Sequence, residues 1–211
     1  MNDTHRNLLL CVSIGVALGA CGNLAGRSDI RQTFYDLGPG EQQATAAAAS
    51  PARIEVRAPS WLSNATMQYR LDYQQPAPRM AFSESRWASP PAEMLERKLA
   101  RALTGDLPVA TPAAEHVTRN GCRLRIELDE FSQVFDTPQS SHATIVARAE
   151  LLPPRGDAAI ARYLVTVREA TPSPDAKGGV VGHQRASDRL TRELGTWLST
   201  QNTGAAKPCT P

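Results

Sequence analysis

Apolar and polar residues alternate most cleanly at 67–73. Met67, Tyr69, Leu71 and Tyr73 share one side, and Gln68, Arg70 and Asp72 the other. A period of two marks a half-buried β-strand. The same period runs through 53–57, where Ile54 and Val56 oppose Glu55 and Arg57. It returns at 122–129, with Cys122, Leu124, Ile126 and Leu128 set against Arg123, Arg125, Glu127 and Asp129. That alternation slips before Phe131, which predicts a bulge. Shorter strand candidates are 32–37, ending in the turn Gly38-Pro39-Gly40, and 80–82, a hairpin partner for 67–73. Two further strands, 143–152 and 159–167, are joined by Pro153-Pro154-Arg155-Gly156-Asp157 and complete an antiparallel meander.

Helical spacing appears twice. Ser89-Pro90-Pro91 suits a helix start, with Ser89 as N-cap and proline tolerated in the first turn. Leu95, Leu99, Ala102 and Leu103 then form an apolar stripe opposite Glu93, Glu96, Arg97, Lys98 and Arg101. The second helix covers 180–201, with Ala186, Leu190, Leu194, Trp197 and Leu198 on its stripe. Segments 41–51, 83–89, 106–114 and 172–179 read as loops. Two amphipathic helices and about seven strands imply an α/β fold, a mixed, largely antiparallel sheet packed with both helices.

The remaining apolar run, 8–18, is uncharged and leads into Leu18-Gly19-Ala20-Cys21. At about 11 residues it is too short to span a bilayer, which needs roughly 20. A polar start, an apolar run and small residues at a cleavage point make a secretory signal. Leu-small-small-Cys resembles the bacterial lipobox, in which the cysteine thiol takes a diacylglyceryl group and becomes the new N-terminus. Cys21 is therefore the expected lipid attachment; an ordinary signal peptide with a chance cysteine is the alternative. The expected organisation is a signal peptide at 1–20, a lipidated tether at 21–31, a domain at 32–201 and a tail at 202–211.

Charge and cysteine use narrow the partners. With 23 Lys+Arg against 21 Asp+Glu, the net charge of +2 gives no electrostatic case for nucleic acid or a polybasic membrane patch. Cys11 would leave with the signal and Cys21 would be acylated. Cys122 and Cys209 then remain as one pair in an oxidising space, with a disulfide expected and a free Cys209 thiol as the alternative.

Recognisable catalytic chemistry is missing. The sequence has no GxSxG, HExxH or GxxxxGK[ST] pattern, so no catalytic residue, metal ligand or cofactor is expected and the chain reads as a non-enzyme. Gly178-Gly179-Val180-Val181-Gly182 lacks the lysine of a phosphate loop and reads as a flexible helix entry. His116, His142 and His183 stand far apart, each expected at the surface or satisfied locally. Ser83-Glu84-Ser85 has no partnered base to activate a hydroxyl.

Several segments in order carry a family resemblance. They are Ala58-Pro59-Ser60-Trp61-Leu62, Met67-Gln68-Tyr69-Arg70-Leu71 and Ser85-Arg86-Trp87-Ala88, then the helix at 93–103, all behind a lipobox-like stretch. Together they resemble the ABC-type transport auxiliary lipoproteins, including the paraquat-inducible PqiC-type proteins. The resemblance implies a periplasmic ABC-transport auxiliary domain with an anticodon-binding-domain-like fold. It also implies partners: an MCE-family (mammalian-cell-entry) periplasmic protein with its ABC permease and ATPase, moving phospholipid or other hydrophobic molecules. Gly22, in place of the aspartate that commonly retains lipoproteins in the inner membrane, suggests the outer membrane. A structural or assembly lipoprotein of an outer-membrane complex is the alternative, and homo-oligomerisation is left open. Arg86 and Trp87 are candidate partner contacts, since both residue types are enriched at binding hot spots. The competing reading packs Trp87 on the helix that follows and leaves Arg86 at the solvent edge. Arg123 and Arg125 offer a second candidate contact face.

Overall fold

The structure, a computed structural model, describes residues 31–39, 51–103 and 121–201. Cys21 with its leader and tether, the 106–114 loop, His116 and Cys209 lie outside the described residues, as does most of 41–51. Seven strands follow in chain order: β1 (Thr33–Tyr35), β2 (Arg53–Arg57), β3 (Thr66–Leu71), β4 (Arg79–Trp87), β5 (Arg123–Thr137), β6 (Ser140–Leu152) and β7 (Ala161–Ala170). Helix α1 (Pro91–Leu103) comes between β4 and β5, and α2 (Ala176–Gln201) follows β7.

The strands form one sheet in the order β1-β4-β3-β5-β6-β7, with β2 also paired to β5. The β3–β4, β5–β6 and β6–β7 pairs are antiparallel, and β5, β6 and β7 are the expected meander. The β1–β4, β2–β5 and β3–β5 pairs are parallel, so the sheet is mixed. Parallel neighbours need a crossover, and the chain between β2 and β5 supplies one through β3, β4 and α1.

The predicted bulge is present. Leu128 opposes Ala147 and Glu130 opposes Val146, which leaves Asp129 as the extra residue. Inward side chains therefore switch from Leu124, Ile126 and Leu128 to Phe131, Gln133 and Phe135.

Three expectations need correction. The 83–87 part of the supposed 83–89 loop continues β4, and Arg86 and Trp87 even pair with Phe34 and Tyr35 of β1. Its alternation is hard to read because Ser83, Glu84 and Ser85 are small or polar on both sides. Lys98, placed on the polar side of α1 by helical spacing, is only 6 % exposed. Its ammonium donates to Leu37 O and pairs with Asp188 of α2 at 2.7 Å, so a buried cation joins the two helices.

Helix α2 begins at Ala176, four residues before the predicted start. Asp175 caps it: Gly178 N–H donates to its carboxylate at 2.7 Å, and the Ser173 hydroxyl at 2.9 Å. Those two bonds, in that order, hold the Asp175 carboxyl below its ordinary value. The glycines are a packing device. A Cβ on Gly179 would stand 2.2 Å from Gln133 Oε1, and one on Gly182 would stand 3.0 Å from the Ala143 side chain. Only hydrogen at these positions lets the helix come this close to β5 and β6. Further along, Ala186, Leu190, Leu194 and Leu198 are fully buried, while Trp197 is half-buried and stacks on Tyr163 of β7.

Candidate interaction surface

The helices pack against a single face of the sheet; the opposite face is charged and part-exposed along β2, β6 and β7, while Ser132, Val134, Thr144 and Leu152 on it are buried. Residues on that open face alternate with the core residues. They include Arg53, Glu55 and Arg57 of β2, Arg123, Arg125 and Glu127 of β5, Arg148 and Glu150 of β6, and Arg162 and Leu164 of β7. Arginine supplies every one of these cations. Its planar fork suits carboxylate and phosphate partners better than a lysine point charge does.

Two clusters organise this face. In the first, Arg79 of β4 donates through both terminal nitrogens to Glu130, at 2.9 and 2.6 Å. Arg70 of β3 lies 3.7 Å from the same carboxylate, and the Arg79 guanidinium sits 4.2 Å above the Trp61 ring. Burial alone would raise the Glu130 carboxyl, but the Arg79 hydrogen bonds and charge hold it below the ordinary range. Sequence reasoning missed this cluster, because Glu130 reaches the Arg70–Arg79 hairpin only through the parallel β3–β5 pairing.

The second cluster holds Arg123 and Arg125. Arg123 donates to the carbonyls of Pro153 and Gly156 and to Asp157, fastening the turn between β6 and β7. Arg125 approaches Asp157 at 3.5 Å and Glu150 at 3.9 Å. The predicted contact face at Arg123 and Arg125 is thus part of the open face.

Arg86 and Trp87 do not form a partner-facing pair. Arg86 is half-buried on β4 and donates to the Thr66 hydroxyl, separated by β3 from the strand that carries Arg123 and Arg125. Trp87 is 2 % exposed and belongs to the core. Its ring meets Phe131 and His183 edge-on, at centroid distances of 5.5 and 5.4 Å. Trp87 is buried, as the alternative expected, but its ring partners come from β5 and α2 and not from the helix that follows.

His183 is satisfied locally at one nitrogen: Nδ1 pairs with Gly179 O at 2.8 Å, one turn back in α2. Its ring lies 4.3 Å from that of Phe131, Nε2 has no hydrogen-bond partner among the described residues, and burial pushes its pKa down to about 4. This buried neutral imidazole packs as a core residue between Phe131 and Trp87. His142 pairs with Asp136 at 2.9 Å near the β5–β6 hairpin. Among the described residues no group of three or more His, Cys, Asp or Glu could hold a metal, and no helix is long and apolar enough to cross a membrane.

No curated protein matches this sequence. A solved structure from Xanthomonas campestris superposes with a TM-score of 0.63 at 21% identity, covering 80% of this chain and 95% of that one. A second, of an uncharacterised protein, gives 0.54 at 13% identity, covering 80% and 99%. At such identities these likenesses concern the fold, and they show that the open mixed sheet with two helices recurs. Residues 35–195 match the family described as ABC-type transport auxiliary lipoprotein component, a span that runs from the end of β1 into α2, and the chain belongs to that family.

Proposed function

We propose that this ABC transport auxiliary lipoprotein is the non-motor, lipid-anchored member of an MCE-type system that moves phospholipid or other hydrophobic molecules across the envelope. The observation that carries the reading is the family match over 35–195 behind a lipobox-like Leu18-Gly19-Ala20-Cys21. Acylation at Cys21 holds the protein on the periplasmic side of the outer membrane. The open sheet face meets the periplasmic part of the partner carrier. No catalytic step is assigned to the chain, so the energy for transport comes from the partner ATPase. A Cys122–Cys209 disulfide ties the C-terminal tail to the base of β5; in support, Cys122 is fully buried and in disulfide form.

Crosslinking in intact cells followed by co-purification tests the assembly. The expected result is capture of a cell-entry-type protein with its permease or ATPase, together with a leakier outer membrane when the gene is deleted. Capture of none of them, with the barrier intact, would overturn the reading and put the assembly-lipoprotein alternative ahead. Cys21→Ser tests the anchor separately: fatty-acid labelling and membrane residence should both be lost, since stable residence needs two or more acyl chains.

A further inference from the structure

At the base of β5 the open face dips into a cavity of about 100 Å³ lined by Arg53, Glu55, Arg123, Leu124, Arg125 and Leu152. Strand register explains why cations crowd there. Parallel pairing sets Arg53 beside Arg123 and Glu55 beside Arg125, and Leu152 faces Arg123 from β6.

The three guanidinium groups are unequally satisfied. Arg123 is engaged by the β6–β7 turn. The Arg125 side chain is 19 % exposed, touches acids only at 3.5 and 3.9 Å, and has its Nε buried with no hydrogen-bond partner. Arg53 makes no side-chain hydrogen bond or ion pair among the described residues and stands exposed at the rim. The carboxylates nearby offer little in return. Glu55 is taken by Arg57 at 2.8 Å, and Asp157, 76 % exposed, leans in from the turn.

A largely buried guanidinium without a hydrogen bond is unfavourable, and a phosphate-class oxyanion is a partner its fork fits, as a carboxylate is. We propose that this cavity binds a phosphate-class oxyanion, free or as the headgroup of a lipid, through Arg125 and Arg53, with the Asp157 carboxylate as the occupant it displaces. The cavity takes an oxyanion and has no room for an acyl chain. Leu152, which faces Arg123 across the β5–β6 pair, supplies an apolar wall that lowers the local dielectric and strengthens the charge pairing. The site goes beyond the transport reading and does not depend on it.

The test uses the full chain purified in detergent, with the arginine Nε–H signals followed by NMR. Inorganic phosphate is titrated in one arm and dihexanoyl phosphatidylglycerol, below its micelle concentration, in the other. Saturable shifts are expected at Arg53, Arg123 and Arg125. Tighter binding of the lipid would assign a headgroup site, and equal binding a free-phosphate site. Arg53→Gln, at an exposed position that leaves the fold intact, should weaken binding about tenfold. Asp157→Asn should tighten it severalfold, which a purely structural ion lattice would not do. Shifts matched by chloride at equal ionic strength, or unchanged in both variants, would overturn the proposal in favour of simple screening. Displacement by an acidic peptide with no response to phosphate would also overturn it, and would reassign the cavity to a protein carboxylate. The readout is binding, so its failure and a failure of the transport reading are separately visible.

Discussion

On its helix-covered side β6 presents Ala143, Ile145, Ala147, Ala149 and Leu151, none more than 1 % exposed. One residue along, the same strand turns Arg148 and Glu150 to the other side, beside Arg125 and Glu127 of β5 and Arg162 and Leu164 of β7. The covered side is matched in size as well as polarity: three alanines on β6 face a helix whose first turns carry Gly178, Gly179 and Gly182. The open side is matched in charge alone. Where both partners of an ion pair are exposed, as in Arg148–Asp129, the pair contributes about 0–1 kcal/mol. Most of the apolar burial lies on the covered face, while exposed arginines opposite, such as Arg148, hold positions that folding needs less.

Breaking the covered face should have the largest effect. Gly179→Val puts side-chain carbon onto Gln133, whose amide is held by Ser141 at 2.8 Å, so the neighbour has little freedom to yield. Urea unfolding should show a loss of about 1–3 kcal/mol. A midpoint near that of the wild type would mean that the helix–sheet contact is looser than described.

Acid should weaken the same face through His183. Its folded pKa, about 4, lies below the ordinary 6.5, so the unfolded chain binds the proton more readily. Its contribution is therefore full above about pH 6.5 and is lost as the pH falls towards 4, by roughly 3 kcal/mol in all. Asp175 at the start of α2 and Glu130 on the opposite face, both held low, add to the loss below the ordinary carboxyl range. Unfolding free energy measured against pH should fall through that window, and His183→Phe should flatten the upper part of it. An equally steep profile in the variant would assign the effect to other groups.

The open face supplies the smallest effect. Arg148 makes a paired contact with Asp129, at 2.8 and 2.7 Å, yet both side chains are well exposed. Arg148→Ala should cost less than about 0.5 kcal/mol. A loss of 2 kcal/mol or more would show that this face also carries stability, against the usual worth of exposed pairs.

Much of this division was legible from the chain. Alternation at 53–57 and 122–129 separates Ile54, Val56, Leu124, Ile126 and Leu128 from the arginines and glutamates between them, and both strands appear where expected. The slip before Phe131 was readable because a phase change shows in any strand with one apolar side. Lys98 was not: helical spacing records which side a residue occupies, and cannot record that Leu37 O and Asp188 wait there to receive an ammonium. The start of α2 was missed for a related reason. Glycine is a poor helix former in isolation, and only the nearness of Gln133 and Ala143 explains two glycines in the opening turns. The arginine cavity was half legible. Arg123 and Arg125 stand out on one strand, but Arg53 joins them through a parallel pairing that no local pattern encodes.

The bulge at Asp129 gives β5 one spare unit of length. Up to Leu128 the even-numbered positions point inward, and from Phe131 the odd-numbered ones do, so the two halves of the strand read in opposite frames. A deletion elsewhere in the strand would shift one half against its partner and invert the faces from that point on. Losing Asp129 itself would restore unbroken alternation, leaving Leu128 opposite Ala147 and Glu130 opposite Val146. Within the central part of β5, between Arg123 and Phe135, this is a position where chain length could change without turning the sheet inside out.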